Sequence, residues 1–127
     1  MPGPTSTNEK LNQRDLELRF AEIALLRSET LRSNNSKLAN GCYDQLHELK
    51  DKMRGLPDRG EAAFKRVVMI DDPHVQVIAA AALLAIDQPF AIRILNQFAT
   101  SALGLVSFTA EMTVREWEAG RLRDYWA

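Results

Sequence analysis

A chain of 127 residues suits one hydrophobic core, and its 46% hydrophobic and 26% charged content is ordinary for a globular protein. Its 16 basic and 17 acidic residues leave a net charge of −1, with no basic stripe to neutralise phosphates, so nucleic-acid binding is not expected. One cysteine, Cys42, cannot form an internal disulfide, and no signal-peptide pattern opens the chain, so a cytoplasmic protein is expected.

Residues 1–8, a run of Pro, Gly, Ser and Thr, read as a disordered lead-in. Residues 9–127 read as a single all-helical domain: a helical hairpin over 9–54, a repeat stack over 57–120 and a tail over 121–127. The first helix is expected from about Asn8 to Arg32, because Leu16, Phe20, Ile23, Ala24 and Leu31 recur at helical spacing. Ser33-Asn34-Asn35-Ser36 breaks it, since short polar side chains bond their own backbone. The second helix carries Leu38, Cys42, Leu46, Leu49 and Met53 on one stripe. Gly41 within it weakens the helix, so either a neighbouring helix packs closely there, the favoured reading, or the helix begins only after Asn40.

Pro57, Pro73 and Pro89 then recur at a constant interval, each near the start of a helical segment. The third helix is expected over Asp58–Ile70 with Ala63, Phe64, Val67 and Val68 inward. In the fourth, Asp72 is the N-cap and Pro73 the first helical residue, followed by ten consecutive apolar residues, Val77 to Ile86. A helix apolar all round must be wrapped by others, so Ala79, Ala82, Leu83 and Ile86 are expected to be buried. The run is too short for a membrane span, which needs about 20 residues. The fifth helix follows Pro89 with Ala91, Ile94, Leu95 and Phe98 on its stripe. After a loop at Ser101–Leu105, the sixth carries Val106, Ala110, Val114 and Trp117 and stops near Gly120, a residue suited to the C′ position. Helix-plus-turn units of this length imply stacked hairpins. The expected fold is all-α, about six helices in antiparallel pairs forming a short HEAT/armadillo-like right-handed superhelical stack.

The motif Pro73-x-Val75-x-x-x-Ala79-Ala80-x-x-Leu83 resembles the second-helix signature of HEAT/armadillo-type repeats. More widely, residues 15–122 resemble an uncharacterised bacterial family of short HEAT-like proteins, domain of unknown function two-zero-one-nine. The matching residues are Phe20-Ala21-Glu22-Ile23-Ala24, Asn40, Tyr43-Asp44, Asp72-Pro73-His74-Val75, Ala79-Ala80, Pro89, Ala91, Leu95, Ala110, Thr113-Val114 and Gly120. The resemblance implies a fold and brings no catalytic residues. Gln76 departs from it, standing where such repeats often carry an arginine that pairs along the stack.

Three clusters are candidates for chemistry. Asp44, His47, Glu48 and Asp51 share one face of the second helix at a spacing that could ligate a divalent cation, although one helix supplies few ligands and a solvated charged face explains them. Cys42 could be a nucleophile beside His47 or His74, but a thiol on an apolar stripe reads as inert core. Asp71 and Asp72 could be a carboxylate pair, but capping already accounts for Asp72. No phosphate loop, nucleophile elbow or zinc spacing is present, so no catalytic residue, metal or cofactor is expected.

The C-terminus gathers Arg115, Trp117, Arg121, Arg123, Tyr125 and Trp126, a composition enriched at binding hot spots. These residues are the candidate partner-binding set. The favoured reading of the aromatics is that Trp117 is core and Tyr125 and Trp126 fold back to cap the last repeat, or that the tail covers a second copy of the chain as a homodimer. The leading functional expectation is a non-catalytic protein-binding module, with an inhibitor or toxin-immunity-type protein as its refinement. The alternative is a small metal-dependent or ligand-binding enzyme using the Asp44/His47/Glu48 face.

Overall fold

The computed structural model describes the backbone of residues 3–122 and the side chains of residues 13–122. Six helices and no strands make up the described residues: α1 (Gly3–Arg32), α2 (Ser36–Arg54), α3 (Glu61–Val68), α4 (Pro73–Leu83), α5 (Gln88–Ala99) and α6 (Leu105–Glu118). The chain divides after Gly60 into two compact units, where the sequence suggests a single domain.

The first unit is the α1–α2 hairpin. Helix α1 begins at Gly3, so the chain is helical through most of the stretch expected as a disordered lead-in. Pro4 is no obstacle, since the first turn tolerates a missing N–H. At the other end Asn34 adopts a left-handed φ of 61°, and Asn35 N–H donates to the Thr30 carbonyl at 2.9 Å, a Schellman stop with asparagine in place of glycine. Asn35 then caps α2, its side chain accepting from Leu38 N–H at 3.2 Å. This cap starts α2 ahead of Gly41. Nothing lies within 4 Å of where a Gly41 Cβ would stand, so the close packing expected there is absent.

Phe20, Ile23 and Ala24 of α1 are buried, as are Ala39, Cys42, Leu46 and Met53 of α2. The α2 seam differs from the expected stripe at two places. Leu38 is exposed, because Ala39 faces inward one residue later; and Leu49 is only half-buried, because the next residue, Lys50, takes the inward place one turn beyond Leu46 and is only 2% exposed. Its aliphatic stem fills the seam, and its ammonium lies 3.4 Å from the Asp51 carboxylate. Burial lowers the Lys50 pKa from the ordinary lysine value, with Asp51 opposing. Ser28 and Thr30 of α1 are also buried, and the Arg27 guanidinium stands over the Tyr43 ring at 5.2 Å.

The second unit holds α3 to α6. Asp58 accepts from Gly60 N–H at 2.9 Å, and Arg59 and Gly60 both take left-handed φ values, 58° and 81°. This turn delays α3 to Glu61, later than the expected Asp58. The helix ends at Val68, earlier than the expected Ile70, where Asp72 N–H bonds back to the Ile70 carbonyl. Ala63, Phe64, Val67 and Val68 are all buried, on the face the periodicity assigns inward.

Asp72 caps α4 as its sequence position requires: its backbone is extended, and its carboxylate accepts from Val75 N–H at 3.2 Å. Every residue from Val77 to Leu84 is buried, and Ala79, Ala82 and Leu83 have no exposed surface at all. Ile86 departs from the expectation. The chain leaves the helix at Leu83 so that Asp87 can cap α5 ahead of Pro89, and Ile86 is left half-buried in the turn. Gln76 donates to the Val68 carbonyl at 2.9 Å and satisfies the end of α3.

Lys65 joins α3 to the start of α5, with its ammonium 2.9 Å from Glu61 and 2.8 Å from Asp87. Consecutive helices pack in order, and α4 also touches α6, so α4 is the shared centre of this unit. Helix α6 buries Val106, Ala110 and Trp117 and ends in a Schellman motif, Gly120 N–H to the Trp117 carbonyl and Arg121 N–H to the Glu116 carbonyl, both at 3.0 Å. Gly120 has the left-handed φ of 80° that its sequence position anticipates.

Candidate interaction surface

The expected partner-binding residues separate in the structure. Trp117 is 6% exposed, in line with Val106 and Ala110, so it belongs to the core and offers a partner almost nothing. Arg115 is exposed and bonds Glu111 one turn back at 2.8 Å. Arg121 is exposed and its Nε donates to the Glu116 carboxylate, which holds Glu116 below the usual carboxylate range. Arg123, Tyr125 and Trp126 lie outside the described residues, as does most of the 121–127 tail.

Sequence reasoning passes over the other face of α6. Leu105 and Phe108 are exposed, Phe108 by 59%, and Met112 is half-buried. Residues 105, 108 and 112 follow the i, i+3, i+7 spacing of one helical face, away from the buried stripe. Leu103, in the preceding loop, is also exposed. Its backbone N–H is held by the Ser107 hydroxyl at 3.0 Å, and that hydroxyl donates to the Ser101 carbonyl at 2.8 Å, so the loop is tied to the first turn of α6. Gly104 enters the helix at φ 62°, which a side chain would strain. The result is an apolar strip, Leu103, Leu105, Phe108 and Met112, on a tethered helix start, with the Arg115–Glu111 ion pair at its edge.

The signal for this strip is present in the sequence. Leu105, Phe108 and Met112 form a second apolar stripe on α6, and a helix with one buried face can hide only one of two.

The cation-ligand reading of α2 finds less. Asp44 and Glu48 are exposed and His47 is half-buried, and among the described residues no group of three or more His, Cys, Asp or Glu side chains is placed to hold a metal ion. Cys42 is buried on the α2 seam. Asp71 is exposed, while Asp72 is buried and occupied by capping, so the two neighbours differ in environment and task. No helix among the described residues is long and apolar enough to cross a membrane.

No protein-family model matches this chain, and no curated protein matches it. Among solved structures it is similar to the crystal structure of the protein RPA1889 from Rhodopseudomonas palustris CGA009. The two share 19% sequence identity and a TM-score of 0.79, over 85% of this chain and 89% of that one. At that identity the likeness shows a common all-helical fold and nothing of function.

Proposed function

We propose that the chain is a non-catalytic protein-binding module of the cytoplasm whose recognition surface is the outer face of α6. The carrying observation is Phe108, a large aromatic side chain exposed on a helix whose opposite side is well buried. Aromatic anchors surrounded by apolar neighbours and rimmed by charge are the anatomy of protein interfaces, and here Leu103, Leu105 and Met112 supply the neighbours. Arg115 and Glu111 supply the rim.

A HEAT-like reading of the second unit, and with it membership of the short bacterial repeat family, is supported by the in-order packing of α3 to α6 and the contact of α4 with α6. Proteins of that build present side chains on a rigid frame, which suits binding more than chemistry. An inhibitor or toxin-immunity role is the refinement we favour, by analogy of fold alone.

The test uses the products of the genes flanking its own as candidate partners, titrated against the full chain by calorimetry. Phe108→Ala should weaken a genuine complex by about 2 kcal/mol or more. Arg115→Ala should weaken it by about 0–1 kcal/mol, as expected at an exposed rim. Both variants should melt within a few degrees of the parent, since neither side chain is core. A complex indifferent to Phe108→Ala would sink the assignment of this face.

A further inference from the structure

Helix α1 also has two apolar faces. Phe20, Ile23 and Ala24 are buried against the hairpin seam, whereas Leu18 and Leu25 are 50% and 41% exposed on the opposite side. The sequence repeats leucine at 11, 18 and 25, the seven-residue interval of a helix-pairing seam. Within its own unit, α1 has only α2 as a neighbour, so this outer face is left uncovered there.

The charges on that face say what fits it. Reading from either end about a point between Ala21 and Glu22, Leu18 falls opposite Leu25 and Arg14 falls opposite Glu29. All four side chains are exposed, and their spacings of four, seven and four residues keep them on one helical face. The stripe is therefore complementary to itself when reversed, which is the requirement of an isologous twofold contact. A parallel copy would set Arg14 against Arg14 and Glu29 against Glu29. Ala21, half-buried beside the axis, lets two helices approach there. Glu22 would come near its symmetry mate, but Arg19 lies 3.7 Å from it on the same helix and offsets that charge.

We propose that two copies of the chain associate through the outer faces of α1, antiparallel about a twofold axis between Ala21 and Glu22. The contact pairs Leu18 with the second copy's Leu25 and Arg14 with its Glu29, each twice by symmetry. Two hairpins joined this way form a four-helix arrangement that covers what each hairpin leaves open. It is independent of the α6 surface, and the two proposals stand or fall separately.

Sedimentation velocity of the full chain, from about 1 to 100 μM, provides the test, with circular dichroism to check folding. The parent should shift from monomer towards dimer mass over this range. Leu18→Glu with Leu25→Glu should weaken association at least about tenfold while leaving helicity unchanged, because both residues face away from the core. Arg14→Glu should weaken it about fivefold by placing like charges together, and adding Glu29→Arg should restore it to near the parent value. That rescue is specific to the antiparallel pairing, since a parallel pair would still set like charges against each other at positions 14 and 29. A monomer throughout the range would overturn the proposal. So would a dimer untouched by the leucine substitutions, or a double charge reversal no better than the single one.

Discussion

The hairpin and the four-helix unit build their interiors from different materials. Helix α4 buries only alanine, valine, leucine and isoleucine, and its polar residues are confined to its first turn. The hairpin seam instead mixes Phe20, Leu46 and Met53 with Ser28, Thr30 and the stem of Lys50. Burying a polar group costs free energy unless it is bonded. Here Ser28 accepts from Arg32 at 2.8 Å, Thr30 donates to the Arg27 carbonyl at 2.9 Å and Lys50 lies 3.4 Å from Asp51. The seam thus offsets desolvation with local bonds where α4 gains by apolar burial alone. The lesson is that one chain can hold both an apolar centre and a polar-laced seam, each tuned by a different kind of substitution.

The strongest way to break this contrast is to hollow out the apolar unit. Leu83→Ala should cost about 2–5 kcal/mol by lost burial and an unfilled cavity. Denaturant unfolding measures it, and a loss under about 1 kcal/mol would mean the α4 centre collapses around the void. Cap removal comes next. Asp72→Ala should cost about 1–2 kcal/mol, because the carboxylate is buried and α4 depends on it. Asn35→Ala, at an exposed cap of α2, should cost about 0.5–1 kcal/mol in the same assay. Equal losses would erase the distinction between the two helix starts.

Gly41→Ala should act in the opposite direction. The site is helical, and the added methyl meets nothing within 4 Å, so the hairpin should gain up to about 1 kcal/mol. A higher melting temperature is the expected reading, and a lower one would show that the glycine is needed for something else.

The smallest effect is alkaline pH. Lys65 holds its proton more tightly in the folded state because Asp87 and then Glu61 accept from it, so its contribution is complete below the ordinary lysine value, about 10.4, and fades above it. Lys50 has the opposite sign, because burial depresses its folded value. Its penalty is full below that depressed value and is relieved as pH rises from it towards the ordinary one. Lys65→Met should therefore flatten the alkaline decline in melting temperature, and Lys50→Met should steepen it. Parallel titration curves for the two variants would contradict this assignment of signs.

Legibility from the sequence follows the same divide. Helix α4 is readable almost residue by residue, since an Asp-Pro start and an unbroken apolar run leave few alternatives. Only its end is misplaced, because the cap of the following helix, Asp87, decides where Ile86 goes. The hairpin seam is harder where a residue's chemistry is two-sided. Lysine reads as solvent by its charge, yet Lys50 packs by its stem, and Leu38 reads as core by its side chain, yet Ala39 takes the inward place. The outer face of α6 escapes for a third reason. Once Val106, Ala110 and Trp117 account for the helix, the second stripe of Leu105, Phe108 and Met112 goes unread, although the surplus is the signal.

Cys42 gives the hairpin its own clock. It is the chain's only cysteine and is buried on the α2 seam, so a thiol reagent can reach it only when that seam opens. Under native conditions the labelling rate, compared with that of a free thiol, therefore reports how often the Cys42 side chain is uncovered, without a denaturant. Where the melting curve averages over the molecule, a single sulfur reads one seam in seconds to hours.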